Sequence, residues 1–319
     1  MKILKLKPAT KDYLWGGTKL KERYNKESDE AILAETWELS AHKDGQSIIL
    51  NGDYEGKTFG EYLKENGNKV IGKNYDKDRF PILIKFIDAL KPLSIQVHPS
   101  DEYGLKHEND YGKTEMWYIL EAEEGSNLYY GFNREISKEE YKKSIEDGTI
   151  EELLNKVYVK PGDTLFIESG TVHAIGAGIV ICEIQQNSNI TYRVYDYKRK
   201  DKDGNERELH IDKAIEVSDL KPNKRYNFNN DNNINKNLER LAKSKYFDVL
   251  KGKVDGEEVF NINNDSFHSI IILDGEGIIT INDENIEYKK GDSFFIPASD
   301  GRYIIKGNSE YIISRLPIE

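Results

Sequence analysis

Apolar residues along this chain fall in short blocks separated by polar punctuation. Eight blocks read as strands: residues 47–50, 82–87, 93–97, 116–120, 127–130, 163–167, 179–184 and 191–195. They are rich in Ile, Val, Tyr and Phe, which pack well on a pleated surface, and Gly, Pro or Asp punctuates them. Strands at this spacing predict a sandwich or barrel. Helical periodicity is rarer. KTFGEYLKE at 57–65 places Phe59, Tyr62 and Leu63 on one face. SKEEYKKSIEDGTIEELLN at 137–155 opens with Ser137 and Glu140 at capping-box spacing, and Gly148 is expected to split it into two short helices. NFNNDNNINKN at 227–237 offers only Phe228 and Ile234 to a core and reads as a surface linker.

The pattern repeats once. GDTLFIE at 162–168 resembles GDSFFIP at 291–297, and YILE at 118–121 resembles IILD at 271–274. Two related β-units are the simplest explanation, the first carrying the helical segment that the second lacks. Aligned on these blocks, Glu115 corresponds to His268 and His173 to Arg302. Any metal chemistry is therefore expected in the first unit only.

Composition narrows the partners. The chain has 319 residues and a formal net charge of −11, so it lacks the overall basic character that phosphate-backbone binding needs, and no nucleic-acid partner is expected. An anionic ligand would require cations gathered locally. Cys182 is the single cysteine; it sits in an apolar run and reads as a core residue. No apolar run is long enough to span a membrane, and the N-terminus lacks the apolar stretch of a signal peptide. The expected setting is soluble and cytoplasmic.

Candidate chemistry centres on Gln96-Val97-His98, with Lys113-Thr114-Glu115 and His173 further on. Gln96 and His98 are two apart, so in a strand they share a face. Glu115 and His173 from neighbouring strands could close a site around one divalent ion. Two imidazoles, a carboxylate and an amide oxygen suit zinc or a similar first-row metal, cobalt and manganese included. Lys85 lies inside an apolar strand, where a charge is unusual unless paired or functional; the alternative is a snorkelling edge residue. Ser94 shares the face of Gln96. His42, His107 and His210 lack a partner at ligand spacing and read as surface or packing residues; His268 reads as packed within the second unit, and Trp37 and Trp117 read as core. Residues 198–208 read as a solvated hairpin around Asp203-Gly204.

The segment Gly162-x5-Glu168-x-Gly170-x2-His173 resembles the second cupin motif, with Glu168 where proline is usual; Pro297 stands there in the second copy. Six blocks in order carry a more specific resemblance: LWGGTKL at 14–20, ETWELSAH at 35–42, KPLSIQVHPSDEY at 91–103, GKTEMWYIL at 112–120, GTVHAIGAGI at 170–179 and EIQQNSNITYRVYDYKR at 183–199. Together they resemble the type I mannose-6-phosphate isomerase family in its short bacterial form.

That resemblance implies a mainly β fold of two cupin-like jelly-roll units with helical insertions in the N-terminal unit. The expected boundaries are a catalytic cupin domain at 1–226 with its insertion near 133–156, a linker at 227–240 and a metal-free cupin-like domain at 241–319. It implies a zinc-dependent aldose–ketose isomerase acting on a sugar phosphate, with one Zn2+ per chain on Gln96, His98, Glu115 and His173. Arg193 matches a catalytic arginine of the family and Glu183 an acidic residue near it; Trp15 falls on the active-site side. Glu183 is a proton shuttle if burial raises its pKa, or else the partner of Arg193 in a structural ion pair. Lys113 is either a proton-transfer group or an anion anchor, and Lys113, Arg193 and Lys85 are the cations available to a phosphate. A monomer or weak dimer is expected. Two rival readings remain: a non-haem metal oxygenase, since two histidines and a carboxylate also make a facial triad, and a non-catalytic sugar-phosphate-binding cupin.

Overall fold

The computed structural model of the chain describes residues 2–200, 203–223, 233–235, 237–282 and 284–317. Each block read as a strand contains one: Ile48–Ile49, Ile82–Ala89, Ile95–Val97, Glu115–Ala122, Asn127–Phe132, Thr164–Ile167, Ile179–Gln186 and Tyr192–Tyr195. The fold is mainly β. In the N-terminal unit a six-stranded sheet runs Thr164–Ile167, Glu115–Ala122, Ile179–Gln186, Ile82–Ala89, Glu35–Leu39, Ala9–Lys11. A five-stranded sheet runs Leu154–Tyr158, Asn127–Phe132, His173–Ile175, Ile95–Val97, Tyr192–Tyr195. Their inner faces meet in one apolar cluster that includes Ile87, Trp117, Ile181, Leu128, Tyr130 and Ile175.

The strands Ile82–Ala89 and Ile179–Gln186 are buried at every position. Both faces are covered, which is why their sequences run apolar without clear alternation. Ile82, Ile84, Phe86, Cys182 and Ile184 point away from the N-terminal interior, into a cluster with Phe247, Phe267, Ile271, Phe295 and Ile312 of the C-terminal unit. The six-stranded sheet thus has the cavity on one side and the second unit on the other.

The insertion folds as two pieces. The helix Lys138–Asp147 ends on Gly148 in the left-handed region, φ 73°, and a 3-10 turn, Ile150–Leu153, follows. Ser137 accepts the Glu140 N–H, but Glu140 turns its carboxylate to Arg134 instead of back to the cap, so only half of the expected box forms. The helix Phe59–Asn66 has the full reciprocal box, Thr58 with Glu61. The insertion and the helix Ile211–Val217 cover the outer face of the five-stranded sheet through Tyr141, Ile145, Ala214 and Ile215. The helix Asp101–His107, capped by Ser100, had no clear apolar stripe to announce it.

The C-terminal unit pairs the strands Asp248–Ile262 and Gly301–Arg315 along their whole length and encloses an apolar interior including Ile270, Ile272, Phe294 and Tyr303. Both units use the same Gly-Asp turn. Gly162 and Gly291 have φ 91° and 89°, which favours glycine. Asp163 accepts the Lys160 N–H and Asp292 the Lys289 N–H. The boundary between units is interwoven: Leu4–Lys7 pairs with Ser293–Ile296 of the C-terminal sheet, and Leu238–Lys243 begins inside the linker expected at 227–240. Residues 227–232 and 236 of that linker lie outside the described residues.

Candidate active site and metal ligands

Two rows of side chains face one another across the N-terminal interior. On the five-stranded sheet, Tyr130, His173, Gln96 and Arg193 are successive cross-strand partners. On the six-stranded sheet, Trp37, Lys85, Glu183 and Trp117 form the matching row. Directly paired residues put their side chains on the same face, so four strands per sheet are needed to assemble each row.

The metal ligands expected from the sequence come together at one end. His98, Glu115 and His173 are buried, and one potential ligand atom from each lies within 4.8 Å of the others. Glu115 Oε1 is 3.3 Å from His173 Nε2, and Glu115 Oε2 is 3.7 Å from His98 Nε2. The Gln96 amide end stands 3.4 Å from His173 Nε2; rotating the amide by half a turn presents its oxygen at the same place. His98 Nδ1 lies 2.7 Å from the Ile190 carbonyl and His173 Nδ1 2.9 Å from the Thr171 carbonyl. Each Nδ1 therefore carries the proton and donates it, leaving both Nε2 lone pairs turned inward.

The donor set fits a metal ion. His98 Nε2 and Glu115 Oε1 are buried with no hydrogen-bond partner, and Glu115 Oε2 has only the Lys113 ammonium, 2.9 Å away, as an ion pair. Buried polar atoms without partners are costly. A cation between them would satisfy all three. Burial drives the His173 imidazole down to about 4 and the His98 imidazole well below its ordinary value, keeping both in the neutral ligating form. Burial, then the neighbouring Glu183 charge, pushes the Glu115 carboxyl up against the opposing pull of Lys113; a divalent ion reverses that balance.

Beside this cluster lies a cavity of about 270 Å³. All three residues expected to catalyse, Arg193, Glu183 and Lys113, line it, as do Lys85, Ser94, Trp15 and Gln96. Several lining residues carried no site role in the sequence reading, among them the polar Tyr13, Glu35, Asn189, Thr191 and Arg207. Three larger hollows open elsewhere among the described residues, one between residues 73–81 and 245–246, one beside the helix Phe59–Asn66 and one along residues 237–239 and 251–255; none touches the ligand cluster.

Several details correct the sequence reading. Glu183 does not pair with Arg193. Its Oε1 lies 3.6 Å from Lys113 Nζ and 3.7 Å from Lys85 Nζ, and its Oε2 accepts the Trp117 indole N–H at 2.9 Å. Burial raises the Glu183 carboxyl, but Lys113 and then Lys85 outweigh it and hold the group below the usual carboxylate range; the anticipated upward shift does not occur. Arg193 instead donates from Nη1 to the Glu208 carbonyl at 2.8 Å. Lys85 is no edge residue. It is 4 % exposed on a central strand, 3.5 Å from Glu35 and 4.9 Å from the centre of the Trp37 ring. Burial opposes the charge on Lys113, yet Glu115 and Glu183 together hold it as an ammonium.

Trp37 and Trp117 read as core from sequence, but each indole N–H holds a carboxylate: Trp37 donates to Glu35 at 2.8 Å. The alternation rule contained a clue for one of them, because Glu35-x-Trp37 places acid and indole on one face; the carboxylate on Trp117 is Glu183, from the neighbouring strand. The hairpin expected at 198–208 is not wholly solvated either. Lys200 bridges to Glu206, but Arg199 and Arg207 turn back onto the buried Asp196, and Arg207 lines the cavity. Of the remaining histidines, His42 is buried beside Trp37, His107 stacks on Tyr103, His210 accepts the Arg193 N–H, and His268 packs inside the second unit.

Known proteins share this arrangement of chain. Residues 3–131 match the type I phosphomannose isomerase catalytic domain and residues 237–316 the mannose-6-phosphate isomerase cupin domain. The mannose-6-phosphate isomerase ManA of Bacillus subtilis (strain 168) is 40 % identical over 313 residues, covering 97 % of this chain and 98 % of its own. The crystal structure of a mannose 6-phosphate isomerase from Bacillus subtilis superimposes with a TM-score of 0.92 at 36 % identity, over 98 % of this chain and 99 % of that one. A zinc-bound mannose 6-phosphate isomerase shares the fold at a TM-score of 0.81 and 18 % identity, over the whole of both chains. With two domains matched in order and a relative matched end to end, the chain belongs to the type I mannose-6-phosphate isomerase family.

Proposed function

We propose that this protein interconverts mannose 6-phosphate and fructose 6-phosphate by moving a proton between C1 and C2, with one zinc ion per chain held by Gln96, His98, Glu115 and His173. The observation that carries the reading is the set of partnerless buried donor atoms on His98 and Glu115 beside a cavity lined by Lys85, Lys113, Glu183 and Arg193. Zinc in that place supplies Lewis acidity toward the substrate carbonyl and hydroxyl oxygens.

The chain's own residues do the rest. Glu183 is the proton carrier: its Oε1 has no hydrogen-bond partner, and the two lysines keep it ionised as a base. Trp117 holds its other oxygen and so fixes the carboxylate plane. Lys113, placed between Glu115 and Glu183, orients both carboxylates and presents an ammonium to a substrate oxygen. Arg193, the cross-strand neighbour of Gln96, stabilises the negative charge that develops on the enediol oxygens. Ser94 and Trp15 contact the sugar.

In this proposal the chemistry belongs to the 1–226 unit, and the 241–319 unit is a metal-free support. A cytoplasmic setting and a monomer or weak dimer complete the reading; no helix among the described residues is long and apolar enough to cross a membrane. The oxygenase and the inert binder are disfavoured by family membership and by the paired lysines and glutamates around the cavity.

The test is a coupled assay of fructose 6-phosphate formed from mannose 6-phosphate by purified protein. Turnover should vanish on chelation and return with zinc. Folded, metal-loaded protein that gives no turnover would overturn the proposal.

A further inference from the structure

Two of the three cations that the sequence offered to a phosphate, Lys85 and Lys113, are already matched within this cavity. Lys85 and Lys113 sit at its inner end, 5–6 % exposed, each within 3.7 Å of two carboxylates. Their charge is already matched by Glu35, Glu183 and Glu115. A dianion placed there would displace the carboxylates that the proposed chemistry uses.

Further out the balance changes. Arg207 lines the same cavity with about a third of its side chain exposed. Its Nε and Nη2 donate to the two oxygens of Asp196 at 2.7 and 2.6 Å, a bidentate grip that fixes the guanidinium plane. Asp196 is buried, and its Oδ1 also accepts from Arg199 Nη2, while Arg199 Nη1 donates to the Pro92 carbonyl at 2.6 Å. The Arg207 Nη1 has no acceptor among the described residues. Arg193 lines the same cavity; burial, then the neighbouring Arg207 charge, holds its guanidinium below the ordinary value. Arg199 and Arg207 thus share one buried carboxylate, and Arg207 stands with Arg193 in the wall of the cavity.

The order in space runs from His173 to Gln96 to Arg193 along the five-stranded sheet, and Arg207 lines the same cavity from outside that sheet. We infer that Arg207, held by Asp196, is the anchor for the substrate's phosphate, so that the phosphate end faces the mouth while the reacting carbons reach the metal ligands. Arg207 is then a binding residue, and Asp196 a positioning residue that acts through it. The inference rests on the isomerase reading above.

Arg207→Gln in the zinc-loaded enzyme tests it. The KM for mannose 6-phosphate should rise about 10- to 100-fold, the effect of losing a charge-assisted hydrogen bond, while kcat changes little. Inhibition by inorganic phosphate should weaken in parallel. Arg207→Lys should recover part of the loss, because a point charge replaces a fork. Asp196→Asn should raise KM in the same direction without lowering the zinc content. An unchanged KM and unchanged phosphate inhibition in Arg207→Gln, with wild-type turnover intact, would overturn the anchor and leave the isomerase reading standing. A fall in kcat alone would equally overturn it. Absence of wild-type turnover would instead strike the isomerase reading itself.

Discussion

Glu115 and His268 hold the same register in two related units. Glu115 pairs across the sheet with Ile167, and His268 with Ile296, the isoleucine at the same place in each Gly-Asp block. Around Glu115 the interior holds two imidazoles, a lysine and a cavity. Around His268 it holds the Tyr303 hydroxyl, 2.9 Å from Nδ1, and rows of Ile and Phe. The turn and strand that frame the position are common to both. What differs is whether the facing strands contribute donors or hydrocarbon. A jelly roll is therefore indifferent to chemistry until particular inward positions are made polar, and each such position must be matched by another or it becomes a buried cost.

Substitutions on each side of this comparison should separate chemistry from support. The largest effect is expected from His173→Ala. Losing one of two imidazoles should lower zinc content, measured by elemental analysis, and reduce kcat/KM by at least about 1000-fold, because Lewis-acid polarisation is worth several kcal/mol. Retention of both metal and activity would break the assignment. Glu183→Gln comes next. It should keep zinc and lose about 100- to 10,000-fold in kcat, the usual range for removing a general base. Trp117→Phe, which only frees the Glu183 carboxylate plane, should lose roughly tenfold. If Trp117→Phe proved as damaging as Glu183→Gln, the indole rather than the carboxylate would need a role.

The smallest effect on turnover belongs to the second unit. His268→Gln should leave kcat and KM unchanged and cost about 1 kcal/mol of stability through the lost Tyr303 contact. Burial, then Arg315, drives the His268 imidazole down to about 3. The unfolded chain takes up a proton near pH 6.5 and the folded one does not until about 3. Between those values the histidine makes folding progressively less favourable as pH falls. Denaturant titrations of His268→Gln across that window should show a shallower acid loss than wild type. An equal slope would mean that the second interior is wetter than its packing indicates.

The strands were legible because Ile, Val, Tyr and Phe blocks are short and well punctuated, and the Gly-Asp echo exposed the two units. The ligand set was legible because Gln96 and His98 obey strand alternation and because the six blocks resemble a known family. What escaped depended on distant partners. Nothing local to Glu183 says that Lys85, on a neighbouring strand, and Lys113, just before another, bracket it instead of Arg193. Arg207 was hidden in a charged run whose composition is that of a solvated turn; only the return of the hairpin onto Asp196 brings it inward. Trp37 and Trp117 looked like core because they are core, and their N–H groups acquire a task only where a buried carboxylate lies alongside.

The pairing of Leu4–Lys7 with Ser293–Ile296 also has a consequence in time. A ribosome adding about 5–20 residues per second reaches residue 295 roughly 15–60 s after residue 4 has been made. For that interval the first strand of the chain has no neighbour on one edge, and the apolar back of the six-stranded sheet awaits Phe267 and Phe295. Synthesis order and assembly order are opposed, since this pairing joins an early segment to one made much later. Nascent chains stalled before residue 293 should consequently be the form most dependent on chaperones.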